Sequence, residues 1–363
     1  MKKKVLIITD EMEVGGSQRQ IVRLIKNLNH DEFSVELGYF TNPSFLLDEI
    51  KPYCDKIWYL DKRKTLDFAF IAQLIKLCRR NEVDIIHCFA FSAEIWVTFA
   101  KIIGFSRNKL ITSIRGRYEW YGKIHWVLKS IASFFSTRII SNSLSGAEYA
   151  LEKMWGGSDK KVSIIYNGIE QNESSEPLEL ESSWLAQNTI LFVGRLVEDK
   201  NIPCLLKAVS LLKDCPYQLK LVGDGPLRDS LEELANNLNI NVEFLGERFD
   251  VDRLMCSAKV VVLPSFREGV SNTIIEAMLN KTAVVASSVG GTPEIITHEK
   301  DGMLFESDNS AQLANELIRV LSDDGLRQSL ADKAFETVTD KFAIERMIRE
   351  FENVYSQEIN NKG

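Results

Sequence analysis

Several features that would mark a secreted or membrane-spanning protein are missing from this chain. Among its 363 residues no apolar run approaches the roughly 18 that a membrane-crossing helix needs. Lys2, Lys3 and Lys4 lead into Val5–Ile8, an apolar stretch far too short for the core of a signal peptide. Cytoplasmic localisation is the expectation. Cysteine is sparse: Cys54, Cys78, Cys88, Cys204, Cys215 and Cys256 form no C-x-x-C pair and have no histidine at ligand spacing. That pattern excludes a zinc knuckle and a disulfide framework, and reads as reduced, mostly buried thiols. There is no short-period repeat and no low-complexity segment.

What is present suits two ordinary cores. The length fits two domains of about 150–200 residues, and 45% hydrophobic with 26% charged residues can fill both. The net charge of −7 conceals a basic first half and an acidic second half. No RNA- or DNA-binding motif accompanies the basic half, so nucleic acid is not an expected partner. An anionic membrane surface fits better.

The first half alternates apolar runs with helical periodicity. Val5–Thr9, Val35–Phe40, Ile57–Leu60, Ile85–Cys88, Leu110–Ile114, Ile139–Ser141 and Val162–Tyr166 predict buried strands, and Ser17–Leu28 and Leu66–Arg79 predict helices. Such alternation means right-handed βαβ units and a parallel sheet. Periodicity fails over Gln171–Asn188, a polar stretch that marks a domain boundary. It resumes with strands at Thr189–Val193, Gln218–Val222, Val242–Leu245, Val260–Leu263 and Ala283–Ser287. The expectation is an α/β protein of two tandem Rossmann-like domains, 1–170 and 185–342. The last helix, Ala343–Tyr355, and the residues to 363 cross back to the first domain. Ligands of open parallel sheets bind outside the carboxyl ends of the strands, so the chemistry belongs in the strand-to-helix loops.

Two loops carry that chemistry. In Gly194-Arg195-Leu196-Val197-Glu198-Asp199-Lys200, a guanidinium fork and an ammonium five residues apart precede a helix start, which suits a diphosphate. A solvated loop with ordinary surface charges is the plain alternative. In Pro264-Ser265-Phe266-Arg267-Glu268-Gly269-Val270-Ser271-Asn272-Thr273-Ile274-Ile275-Glu276-Ala277-Met278, Glu268 falls in the loop and Glu276 on the second turn of the helix. Ser271 or Asn272 would cap that helix, and the amides of Gly269, Val270, Ser271 and Asn272 suit a phosphate. A sugar hydroxyl and a ribose hydroxyl pair are natural partners for the two carboxylates. Two other patterns are weaker. Gly223-x-Gly225 lacks the third glycine of a dinucleotide fingerprint, having Arg228 there, and fits a tight turn. Asp250-Val251-Asp252 resembles a metal-binding D-x-D but precedes a helical stretch, which makes one aspartate an N-cap.

The second loop resembles the signature of glycosyltransferase family 4, the group 1 retaining enzymes of the GT-B fold. Collinear matches extend along nearly the whole chain: Gly15-Gly16, Ser141-Asn142-Ser143, Tyr166-Asn167-Gly168-Ile169, Gly194-Arg195 with Lys200, Gly223-Asp224-Gly225-Pro226-Leu227, Phe244-Leu245-Gly246 and Val289-Gly290-Gly291-Thr292-Pro293-Glu294. The resemblance implies that Arg195 and Lys200 bind a nucleotide-sugar's diphosphate, Glu276 its ribose and Glu268 the transferred sugar. It also implies that Gly15 and Gly16 close over the phosphate across a cleft between facing domains, and that Arg248 lies near the base. Many relatives place a His after the fifth strand; here Thr112–Arg117 has none, leaving Arg115 and His87 as acceptor-side candidates.

The expected activity is metal-independent, cofactor-free, retaining transfer of a sugar from a UDP- or GDP-sugar to a glycan or lipid-linked acceptor in cell-surface polysaccharide biosynthesis. A nucleotide-sugar epimerase and a donor-binding protein without turnover are the alternatives. Arg115–Arg138 sets Arg115, Arg117, Lys123, Lys129 and Arg138 against Glu119 alone and interleaves Trp120, Tyr121 and Trp126. That mixture predicts peripheral contact with an anionic membrane, with Ile124, Val127, Leu128 and Ile131 turned into the core.

Overall fold

The computed structural model describes residues 2–13, 15–63, 67–80, 82–156, 159–169, 189–212 and 217–361. The chain forms two compact units, residues 1–168 with 344–363, and residues 169–343. The stretch Gln171–Asn188, expected to be the boundary, lies outside the described residues.

In the first unit, β1 (Lys3–Ile8), β2 (Phe33–Tyr39), β3 (Lys56–Tyr59), β4 (Ile85–Cys88), β5 (Lys109–Ile114), β6 (Arg138–Ser141) and β7 (Val162–Ile164) make one parallel sheet in the order β3-β2-β1-β4-β5-β6-β7. Crossover helices include α1 (Gly16–Asn27), α2 (Leu46–Ile50), α3 (Phe68–Cys78), α4 (Phe91–Gly104), α5 (Lys123–Phe135) and α6 (Leu144–Lys153). Strands covered on both faces read as continuous apolar runs, and alternate residues feed opposite cores. Val5, Ile7, Ile85 and Ile111 pack with Ile21 and Ile25 of α1 and with Met347, Phe351 and Tyr355 of the C-terminal helix Ile344–Asn360. Leu6, Ile8, Ile86 and Leu110 pack on the other face with Phe70 and Leu74 of α3 and Ala93 and Val97 of α4.

Helix α5 overturns its sequence reading. Ile124, Val127 and Ile131 are exposed, whereas Lys129, Ser130, Ala132 and Ser133 are buried. The reason lies under the helix. Glu94 of α4 is fully buried there, and Lys129 Nζ meets its Oε2 at 2.5 Å and the Ser113 carbonyl at 2.8 Å. Glu94 Oε1 accepts a bond from the Ser113 amide at 2.8 Å. Burial still holds the Glu94 carboxyl above its ordinary range, against the pull of Lys129.

The second unit holds β8 (Thr189–Val193), β9 (Gln218–Val222), β10 (Val242–Gly246), β11 (Val260–Leu263), β12 (Ala283–Ser287) and β13 (Met303–Phe305), in the order β10-β9-β8-β11-β12-β13, all parallel. The sequence did not signal β13; three residues are too few to display a period. In each sheet the strand order reverses once, between β1 and β4 and between β8 and β11. Those are the switch points where such sheets take ligands.

Lys129→Met leaves Glu94 buried without its cation and is expected to destabilise the protein by about 3–5 kcal/mol. The double variant with Glu94→Gln should recover much of that loss. Denaturant unfolding of the two singles and the double measures it; additive losses would show that the ion pair does not act as a unit.

Candidate functional site

The two sequence-flagged loops of the second unit follow β8 and β11, the neighbouring strands at its switch point. After β8 the chain makes a short 3₁₀ turn, Glu198–Lys200, and Asn201 takes a left-handed conformation before Pro203 starts the helix Ile202–Ser210. After β11, Ser265 is fully buried and the chain bends at Phe266 and again at Gly269 and Val270 before the helix Asn272–Leu279. The Phe266 amide bonds to the Asp199 carbonyl at 2.9 Å and joins the loops.

Their side chains meet. Lys200 Nζ forms a close ion pair with Glu268 Oε1, and Ser265 Oγ donates to the same oxygen at 2.8 Å. Lys200 is 22% exposed and Glu268 11%, so the pair is shielded yet reachable. A lysine ammonium has three donors, so Lys200 can hold an anion while retaining its carboxylate. Arg195 stands exposed and makes no side-chain hydrogen bond or ion pair with the described residues. Ser271 occupies the N-cap position of the helix Asn272–Leu279 but forms no side-chain cap bond, which corrects the capping expectation. The N-terminus of that helix carries the positive end of the helix dipole, a polarity suited to an anion. Gly269 and Glu276 are half-buried on either side of that helix start, and Val270 is buried.

Glycine holds the loops in place. Gly290 has φ +53°, and a Cβ there would lie 1.8 Å from the Glu268 carbonyl oxygen. The next amide, of Gly291, donates to that oxygen at 3.2 Å. Gly223 has φ +121°, and its Cβ would lie 2.1 Å from the Gly194 carbonyl oxygen. The Gly-x-Gly after β9 is thus a backing for the Arg195 loop. Sequence reasoning noted the Gly290 motif and missed its role, since nothing in the sequence pairs it with Glu268; it also missed the Ser265 hydroxyl, three residues from Glu268, because residue type alone does not say which way that hydroxyl turns.

Arg248 is engaged within its own loop. Its guanidinium forks onto Asp250, Nε to Oδ1 at 2.8 Å and Nη2 to Oδ2 at 2.7 Å. Asp250 therefore sits at the N-cap position of the helix Val251–Ser257 with its carboxylate on Arg248 and makes no side-chain cap bond. Phe249 between them is fully exposed.

In the first unit, Gly15 is the N-cap of α1 and Gly16 its first residue; no acidic residue occupies that first turn. His87 is fully buried, with Nδ1 2.8 Å from Tyr355 Oη and Nε2 2.9 Å from Ser113 Oγ. Burial, then the Arg115 charge, push it well below the usual histidine range. His87 is a core residue linking β4 to the C-terminal helix, and the acceptor-side expectation for it is corrected. Arg115 behaves otherwise. Its Nη2 bonds to Asn167 Oδ1 at 3.1 Å, its plane lies over Phe89 at 5.2 Å, and its Nε is buried without a partner. Burial lowers it to about 10. A half-buried cation with no carboxylate paired to it among the described residues is suited to an anion.

The comparisons agree with this architecture. The family model described as Glycosyl transferases group 1 matches residues 187–323, and that described as Glycosyltransferase Family 4 matches residues 14–173. An uncharacterised glycosyltransferase of Methanocaldococcus jannaschii is 31% identical over 304 residues, 76% of this chain and 75% of the relative. An α-1,4-N-acetyl-D-galactosaminyltransferase of Campylobacter jejuni, named for an undecaprenol-diphosphate-linked acceptor, is 28% identical over 346 residues, 93% of this chain and 94% of its own length. HepE of Anabaena, solved in complex with UDP, aligns with a TM-score of 0.87 at 21% identity, covering 98% of this chain and 100% of HepE. That likeness is one of fold, the two parallel-sheet units of the GT-B architecture.

Gly290→Ala forces a side chain into a left-handed conformation and against the Glu268 carbonyl, and should destabilise the second unit by about 2 kcal/mol or more. Thermal unfolding reads it; a variant that melts with the wild type would show that the loops do not need this contact.

Proposed function

Because the chain belongs to glycosyltransferase family 4, the group 1 enzymes, we propose that it moves a sugar from a UDP- or GDP-sugar to a lipid-diphosphate-linked glycan, with retention and without a metal. The observation that carries the reading is the Lys200–Glu268 pair at the switch point, beside the unengaged Arg195. The Campylobacter relative's acceptor supports the lipid-linked class.

Cleavage of the anomeric C–O bond leaves positive charge on the sugar and negative charge on the departing nucleoside diphosphate. Arg195, Lys200 and the N-terminal dipole of the helix Asn272–Leu279 meet that negative charge, the task a divalent cation performs elsewhere. Preorganised donors of this kind are worth about 3–4 kcal/mol each on deletion. Glu268, fixed by Ser265 and Lys200, orients the transferred sugar, and Glu276 binds the ribose. Retention follows when the acceptor attacks the face the diphosphate leaves, with a phosphate oxygen taking the acceptor proton. Arg115, half-buried and with no carboxylate partner among the described residues, binds the acceptor's phosphate.

Lys200→Ala and Arg195→Ala should each lower turnover by roughly 10²–10³, Arg195→Ala with its melting curve unchanged. Wild-type activity should persist in EDTA. Product analysis with UDP- and GDP-sugars and a short-chain lipid-diphosphate acceptor measures both; full activity of either variant, or strict need for magnesium or manganese, would sink the clamp. In the same assay Arg115→Gln should raise KM for the phosphorylated acceptor by about tenfold and leave donor KM unchanged. Equal effects on the two substrates would remove Arg115 from the acceptor side.

A further inference from the structure

The outward face of α5 has no function in the transfer reaction described above. Ile124, Val127 and Ile131 fall at i, i+3 and i+7, a single stripe of the helix, and are 75%, 58% and 39% exposed. An amphipathic helix ordinarily turns such a stripe inward, but here the inner side is taken by Lys129 and small residues. The stripe continues onto α4, where Phe99, Ile102 and Ile103 are exposed. A shallow apolar depression lined by Ile95, Phe99, Ile102, Leu128 and Ile131 joins the two helices. A contiguous apolar surface of this kind marks an interaction site.

The charge around it selects the partner. From Phe91 to Arg138 the chain carries eight Lys or Arg and two acids, Glu94 and Glu119. Glu94 is buried against Lys129, so Glu119 is the one acid of this segment not sealed inside. Lys123 opens α5 next to the stripe, exposed and without an ion pair among the described residues, and Trp120 beside it is 64% exposed. A second copy of the same face would bring like charges together, which opposes self-association. An apolar stripe with a basic rim and an exposed tryptophan matches the boundary between lipid headgroups and acyl chains. No described helix is long and apolar enough to cross a membrane.

We propose that α4 and α5 form a docking surface that inserts Ile124, Val127 and Ile131 into an anionic lipid interface, with Lys123 at the headgroups. The proposal rests on the lipid-linked acceptor reading for its purpose, since such an acceptor is presented at a bilayer surface. It also corrects the expected mode of contact: Lys129 is an interior residue and takes no part.

Co-sedimentation with vesicles of equal parts phosphatidylglycerol and phosphatidylcholine, free of any glycan acceptor, tests the surface apart from the chemistry. The wild type should bind these vesicles, release at high salt and ignore pure phosphatidylcholine. Ile124→Glu with Val127→Glu should lower the partition coefficient by about tenfold or more, and Lys123→Glu by a few-fold. Both should keep wild-type melting and wild-type transfer to a water-soluble acceptor. Failure of the wild type to bind anionic vesicles, or unchanged binding of the double variant, would overturn the proposal. So would light scattering that shows a wild-type dimer dissolved by the double variant with no vesicle binding. Vesicle binding that follows the stripe, in a protein that transfers nothing to lipid acceptors, would keep this surface and refute the acceptor reading.

Discussion

The second unit depends on how closely its backbone can pack at the carboxyl edge of the sheet. Gly223 lets the β9 loop touch the Gly194 carbonyl, and Gly290 lets the β12 loop touch the Glu268 carbonyl. Each contact backs one of two loops, 68 residues apart at Lys200 and Glu268, that follow neighbouring strands and are joined by the Phe266 amide on the Asp199 carbonyl. The side chains that do the chemistry are few and tolerate some movement. Their platform does not, because a single Cβ at either glycine would overlap a carbonyl oxygen.

The Lys200–Glu268 pair also settles the electrostatics of the two loops. Without a partner, a half-buried lysine and a more deeply buried glutamate would each bear a desolvation cost. Paired, they neutralise each other, and the three-donor ammonium of Lys200 keeps hydrogen-bonding capacity beyond the pair. Arg195 is exposed to solvent. The first unit uses a different solution at Arg115, which leans on Phe89 and Asn167 in place of a carboxylate.

In the first unit, a buried ion pair determines what the surface looks like. Once Glu94 and Lys129 meet between α4 and α5, the apolar stripe of α5 has no inner surface left to cover. Stability of the layer and exposure of its outer face are two consequences of one contact. His87 is a second case in which packing settles a role: hydrogen bonds to Tyr355 and Ser113 seal it into the junction with the C-terminal helix.

The sequence by itself determined the strand–helix alternation, the two parallel sheets, the return of the C-terminal helix and the loops that carry Arg195, Lys200, Glu268 and Glu276. These follow from period, apolar runs and residue type, which are local properties. Tertiary structure decided that Ser265 and Lys200 hold Glu268, that Arg248 forks onto Asp250, that His87 is core and that β13 exists. It also decided which way α5 faces. Periodicity says that a helix has an apolar stripe, but the direction of the stripe depends on what the neighbouring elements offer. Here Glu94, 35 residues before Lys129, offers a charge, and a buried carboxylate without a cation costs more than an exposed row of aliphatic side chains.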